Sequence, residues 1–256
     1  MHDEIDKIAR FKRKLKLATP RYPFVRCITS CPYRAPKWDR KVSALIEELG
    51  PSALVLDLGS GGQRRAKHVI NLEIEPMPNV NVVGDGHKLP FKDEVFHAVI
   101  LEAVLEHVRE PKTVVLEVHR VLRPGGRIHA GVPFIQGYHP SPEDYQRYTV
   151  QGIESLFSDF QKIESGACVG ATSALHWIFR EYIGILFSFG SVWLYKSLSL
   201  IVGWLTFPVV YLDAILKYNK NAHAIASAVF FIGKKEGNRD QSIGNRDRSI
   251  GNRAHP

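Results

Sequence analysis

Two stretches concentrate residues able to do chemistry. In the first, residues 55–62 read VLDLGSGG. Apolar positions around Asp57 mark a short buried strand, and Gly59, Ser60, Gly61 and Gly62 force a tight turn over which a ligand can approach bare backbone. Further acids stand at Glu73, closing the next apolar run, and at Asp85, after the run beyond. In the second stretch, residues 137–149 read GYHPSPEDYQRYT, a loop dense in His, Asp, Tyr and Arg. At the carboxyl edge of a parallel sheet such a loop meets a substrate. A dinucleotide fingerprint would need a third glycine three residues after the second, and Arg64 stands there instead, so NAD fits poorly.

Regular elements must position these residues. Residues 39–49 read as a helix with Val42, Leu45, Ile46 and Leu49 inward, stopped by Gly50 and Pro51. Strands are expected at 69–73, 80–83, 95–101, 127–132, 161–170 and 222–234, and helices at 111–122 and 151–160. The run at 95–101 is almost wholly apolar, as in a strand covered on both faces. Only residues 63–68 separate the glycine turn from the second strand, so the first crossover helix must be a stub.

The ordered combination resembles the class I S-adenosylmethionine-dependent methyltransferases, particularly the broad group that includes the quinone-biosynthesis enzymes. The likeness runs over residues 52–149, with weaker echoes to 235, and rests on Asp57, Glu73 and Asp85 in order, the Glu106-His107 pair, the LRPGG turn at 122–126 and the His-to-Thr loop. It implies an α/β, Rossmann-like, seven-stranded, mostly parallel sheet with an antiparallel last strand. It also implies S-adenosylmethionine as cofactor, held by Asp57, Gly59, Ser60, Gly61, Glu73, Asp85, Gly86, His87, Leu101 and Glu102. Glu73 would accept both ribose hydroxyls, two vicinal donors suiting one two-oxygen acceptor. Asp85 would receive the adenine amino group. With the first helix shortened, the cofactor's carboxylate would lean on turn amides and on Arg64 or Arg65.

A sulfonium methyl is already electrophilic, so such an enzyme mainly aligns an acceptor and excludes water; only a weak nucleophile also needs a base. The candidates are His139 as base, Asp144 as its orienter or an acceptor clamp, and Tyr145 and Tyr148 as walls. A capping loop merely pinned by its Asp and Arg is the alternative. His107 reads as a packing histidine, and His97, where members often carry Asp, has no catalytic role. No metal ligand is assigned: Cys27 and Cys31 lack a third cysteine at position 34, which holds Arg34.

The chain has 256 residues and 45% apolar content, enough for one α/β domain with appendages. Its net charge of +8 is unevenly spread: residues 1–40 carry eleven Lys/Arg against four Asp/Glu, and residues 233–256 six against three. The middle is therefore slightly acidic, which disfavours a nucleic-acid partner. Residues 1–17 read as a basic amphipathic helix able to lie on an anionic membrane or a nucleic acid, or else as a solvated terminal helix, and 237–256 as a polar, disordered heptapeptide-repeat tail. Three cysteines make no disulfide framework and no secretory signal opens the sequence, so a cytoplasmic setting is expected.

The expected organisation is 1–50 as lead-in, 51–170 as core, 171–221 as an apolar helical insertion, 222–236 as the last core strand and 237–256 as tail. From 183 to 212 the only charge is Lys196, so the insertion calls for an apolar partner. Two short helices meeting near Lys196 would dip into one leaflet or cover a lipid-like acceptor, with Arg180, Lys196 and Lys217 toward headgroups. The expected function is methyl transfer at a membrane surface to a lipid, isoprenoid or lipid-linked glycan. The alternatives are a soluble small-molecule enzyme whose insertion makes a homodimer, or a catalytically silent cofactor-binding scaffold.

Overall fold

The structure, a computed structural model, describes residues 36–140 and 143–237. The basic first helix, Cys27, Cys31 and the repeat tail lie outside the described residues.

Seven strands form one sheet: β1 (Val55–Leu58), β2 (Val69–Glu73), β3 (Val82–Val83), β4 (Phe96–Glu102), β5 (Leu122–Pro133), β6 (Gln161–Val169) and β7 (Ala228–Lys234). Their spatial order is β3-β2-β1-β4-β5-β7-β6, and β7 runs antiparallel to both its neighbours while the rest are parallel. The expected α/β sheet with a reversed last strand is therefore present. Successive side chains of a strand face opposite ways, and the core divides accordingly. Leu56, Leu58, Val99, Leu101 and Phe231 pack on one face with Val114, Val118, Ile153 and Phe157. Val55, Ala98, Ile100, Phe230 and Ile232 pack on the other with Trp38, Val42 and Leu45. The first face is covered by α2 (Pro111–Val121) and α3 (Val150–Leu156), the second by α1 (Pro36–Leu49).

Several boundaries differ from expectation. No helix forms between β1 and β2, so the stub expected at 63–68 is a run of turns. The third strand holds only Val82–Val83, and the helix expected to reach 160 ends at Leu156. The seventh strand starts at Ala228, because residues Ala222–Ile225 wind into a 3-10 turn. The LRPGG segment is a loop within β5: Leu122 still pairs with Phe96 while Arg127 pairs with Ala98, so residues 123–126 bulge out of the ladder.

Between β6 and β7 stand α4 (Ala171–Phe187), α5 (Val192–Thr206), a 3-10 turn (Phe207–Leu212) and α6 (Asp213–Leu216). The two long helices turn at residues 188–191, not near Lys196, which lies inside α5. They pack antiparallel through small residues: Gly184 of α4 faces Tyr195 and Ser199, and Gly203 of α5 faces Arg180. His176 Nε2 lies 3.0 Å from the Gly203 carbonyl oxygen. Buried Asp213 returns to the base of the hairpin and accepts from Thr172 N (2.7 Å), Ser173 N (3.0 Å) and Ser173 Oγ (2.6 Å), satisfying amides at the start of α4. A β-carbon at Gly170 would fall 2.2 Å from the Asp213 carboxyl carbon, so glycine is what admits this cap.

Candidate functional site

In an open parallel sheet the crevice lies at the carboxyl ends of the strands where the order reverses, here between β1 and β4. Gly59 to Gly62 follow β1, Glu73 ends β2, Asp85 and His87 follow β3, and Leu101 and Glu102 end β4, so the topology brings all the proposed cofactor residues to one edge. Gly59 has φ +73°, and any β-carbon there would strike Val104, which stands against the turn. The turn leans toward β2: Gly59 N donates to Leu72 O at 2.9 Å, and Gly61 N to Glu73 Oε1 at 2.6 Å. The Ser60 hydroxyl is buried without a partner, and the space above Gly61 is open.

Asp85 accepts from the His87 amide at 2.9 Å and lies 2.7 Å from His87 Nδ1, both contacts falling on Oδ1. The amide bond is the main reason its carboxyl is held below the usual range. Gly86 packs its α-carbon side against Val114 and Leu58, and Leu101 is buried beneath the crevice. Across β1 and β4 the guanidinium of Arg65 joins two acids, donating from Nε to Asp57 at 2.9 Å and from Nη2 to Glu102, whose other oxygen accepts from the Trp38 indole. Burial pushes Asp57 up to about 6, with Arg65 opposing it. Arg64 is turned away, onto Asn81.

The second cluster lies beside β4 and β5 on the same edge. After Glu102, Ala103 takes φ +54° and leads into the 3-10 turn Leu105–His107. The loop after β5 is stitched to this turn by Tyr145 N to Glu106 O (2.7 Å), His107 Nδ1 to Glu143 O (2.5 Å) and Gln146 Nε2 to Val108 O (2.9 Å). His139 Nδ1 meets the Gly137 carbonyl at 2.8 Å, and Nε2 faces Glu106 Oε1 at 3.9 Å. Burial alone would lower the His139 pKa, yet Glu106, the Gly137 carbonyl and Asp144 carry it above the usual value.

Asp144 serves the loop rather than the imidazole. It accepts from the His139 amide at 2.8 Å and from both terminal nitrogens of Arg147, chiefly for which its pKa falls to about 2, while His139 Nδ1 stays 3.8 Å away. The ring is thus oriented by Gly137. Tyr145 is half exposed and bonds Arg109 at 2.8 Å, whereas the Tyr148 hydroxyl is buried, unpartnered and pushed up to about 12 by burial and then by Glu106. His97 is structural, its Nδ1 accepting from Leu54 N. The sequence reading left out Glu106 as a site residue and Trp177, whose ring on α4 lies 5.6 Å from His139. An acid between Leu105 and His107 at a strand end was the available signal for the first; nothing local marked the second.

Residues 41–130 match the family model described as "Methyltransferase domain". The chain is 32% identical over 98 residues to an uncharacterized 37.1 kDa protein in transposon TN4556 of Streptomyces fradiae, covering 36% of this chain and 26% of that one. It is 27% identical over 108 residues to a demethylmenaquinone methyltransferase of Streptomyces griseus, covering 36% and 46%. The matched stretches thus span less than half of these relatives' length. Among solved structures, the 1,6-didemethyltoxoflavin-N1-methyltransferase of Burkholderia thailandensis, with bound S-adenosylhomocysteine, superposes with a TM-score of 0.51 at 15% identity, over 92% of this chain and 90% of that one. Over residues 41–130 the chain is thus similar to methyltransferase domains, on a fold shared with class I S-adenosylmethionine-dependent methyltransferases. The orphaned Ser60 hydroxyl, the open turn and the carboxylates of Glu73 and Asp85 fit that cofactor.

Proposed function

We propose that this protein methylates a lipid, isoprenoid or lipid-linked glycan acceptor at a membrane surface. When bound, S-adenosylmethionine supplies an electrophilic methyl group. Glu73, still with acceptor capacity beside its bonds from the Gly61 and Ile74 amides, would hold the ribose hydroxyls, and Asp85 the adenine amino group. The Ser60 hydroxyl and turn amides would hold the amino-acid part, with Arg65 facing its carboxylate and Asp57 and Glu102 its ammonium. His139 would take the acceptor's proton onto Nε2, with Tyr148 lining the pocket and Asp144 fixing the loop.

The observation that carries the membrane part is the hairpin. Its helix α4 lays Trp177 on His139, while its outer surface exposes Phe189 (88%), Leu205 (76%) and Trp193 (70%). The run Val192–Leu216 is long and apolar enough to cross a membrane, yet Asp213 ties its end back to the domain beside the sheet. A shallow seat in one leaflet satisfies both. Arg180 does not reach outward as expected from sequence; it stacks on Trp177 at 4.8 Å.

The test is flotation of the protein with anionic liposomes, together with transfer of a labelled methyl into a total lipid extract. Wild type should float and label an extractable lipid, and the variant Phe189→Ser/Trp193→Ser/Leu205→Ser should do neither while retaining its circular dichroism. Equal behaviour of the two proteins, or label found only in water-soluble compounds, would reject the reading. A concentration-dependent dimer abolished by the same substitutions would instead assign the apolar face to self-association.

A further inference from the structure

Among the described residues, Glu106, His107 and His139 bring their ligand atoms within 4.8 Å of one another. We propose that these three side chains form a binding site for a divalent transition-metal ion, of zinc type, at the carboxyl edge of the sheet. The sequence alone assigned no metal here, because Glu106 and His139 meet only through the docking of residues 143–146 on the 3-10 turn.

The first support is the state of Glu106. Its side chain is fully buried and both carboxylate oxygens lack a hydrogen-bond partner. A buried carboxylate left this way is costly, and a cation in the adjoining space relieves it.

The second is the state of the histidines. A carbonyl oxygen only accepts, so the contacts of His107 Nδ1 with Glu143 O (2.5 Å) and of His139 Nδ1 with Gly137 O (2.8 Å) call for a hydrogen on Nδ1 in both rings, the donor Arg147 Nη2 standing farther from His139 Nδ1 at 3.3 Å. In the neutral ring each Nε2 then keeps its lone pair, and both face Glu106 Oε1, from 3.7 Å and 3.9 Å. Backbone carbonyls that hold the far nitrogen of a histidine are what metal-binding imidazoles ordinarily have behind them.

The third is the spacing. Zinc bonds of about 2.0–2.2 Å in a tetrahedron place ligands roughly 3.4 Å apart, so a slight inward turn of two rings that already stand at 90° completes the set. Two imidazoles and one carboxylate favour zinc, iron or nickel over magnesium, and three protein ligands leave a position open. The inference rests on the proposed methyl transfer only for the ion's purpose, which is to hold an acceptor oxygen at that open position. With the ion bound, His139 is a ligand and no longer the proton acceptor.

The test uses the full chain without an affinity tag, stripped by a chelator and titrated with zinc chloride in a calorimeter, then loaded with cobalt(II) for its visible spectrum. One equivalent should bind at micromolar affinity or better, and cobalt should show the intense visible bands of a low-coordinate nitrogen-ligated ion. Glu106→Gln and His139→Asn should each weaken zinc binding more than tenfold, and His107→Asn, at a less buried position, should do the same where either of the others fails to fold. No saturable binding, or binding that all three variants retain, would overturn the proposal. Zinc bound without any methyl transfer would sink the proposed function alone; methyl transfer by a protein with no affinity for zinc would sink this inference alone.

Discussion

His129 is a buried imidazole on β5 with no partner on Nδ1, packed against Trp38. Burial, aided by Arg127 and Lys41 and opposed by Glu48, lowers its pKa from 6.5 to about 4. The unfolded ring takes up a proton near pH 6.5 and the folded one only near 4, so the unfolded state binds more protons in between. The contribution is fully present above 6.5 and lost as pH falls toward 4, amounting to about 3 kcal/mol. Urea titrations at both ends of that window should show a smaller acid loss for His129→Leu than for wild type. At the cofactor edge, Asp85→Ala should weaken S-adenosylmethionine binding about tenfold by calorimetry, the worth of one hydrogen bond to a charged acceptor.

Among the elements, α4 depends on a side chain far along the chain for its start, since its N-cap is Gly170 and offers no side-chain oxygen. Asp213→Ala should cost about 1–2 kcal/mol in thermal or denaturant unfolding and loosen the hairpin at its base. A dependence of this kind is invisible to periodicity. The strands β1, β2 and β4 could be read because alternation and the glycine turn are local signals, and Asp57, Glu73 and Asp85 came with them. The Ala228 boundary, the loop within β5 and the turn at 188–191 are set by pairing and packing between distant segments. Glu106 and His139, or Arg65 between Asp57 and Glu102, meet only once the sheet has ordered its strands.

At the scale of the molecule, an α/β domain with two covered sheet faces carries a hairpin whose outer surface has no partner among the described residues. The sequence showed the excess of apolar residues there, but not that the first helix of the hairpin would reach the loop after β5. Trp177→Ala should leave S-adenosylmethionine affinity unchanged and lower the rate of methyl transfer in the presence of lipid, with vesicle binding retained. Loss of vesicle binding instead would make Trp177 part of the membrane contact.

On the proposed membrane reading, that indole would also join two events. Arrival at a bilayer and arrangement of the His139 ring would then share one connection, the contact of Trp177 on α4 with the imidazole. If lipid seats the hairpin, the surface itself becomes the activator, and a copy adrift in water stays idle until it lands.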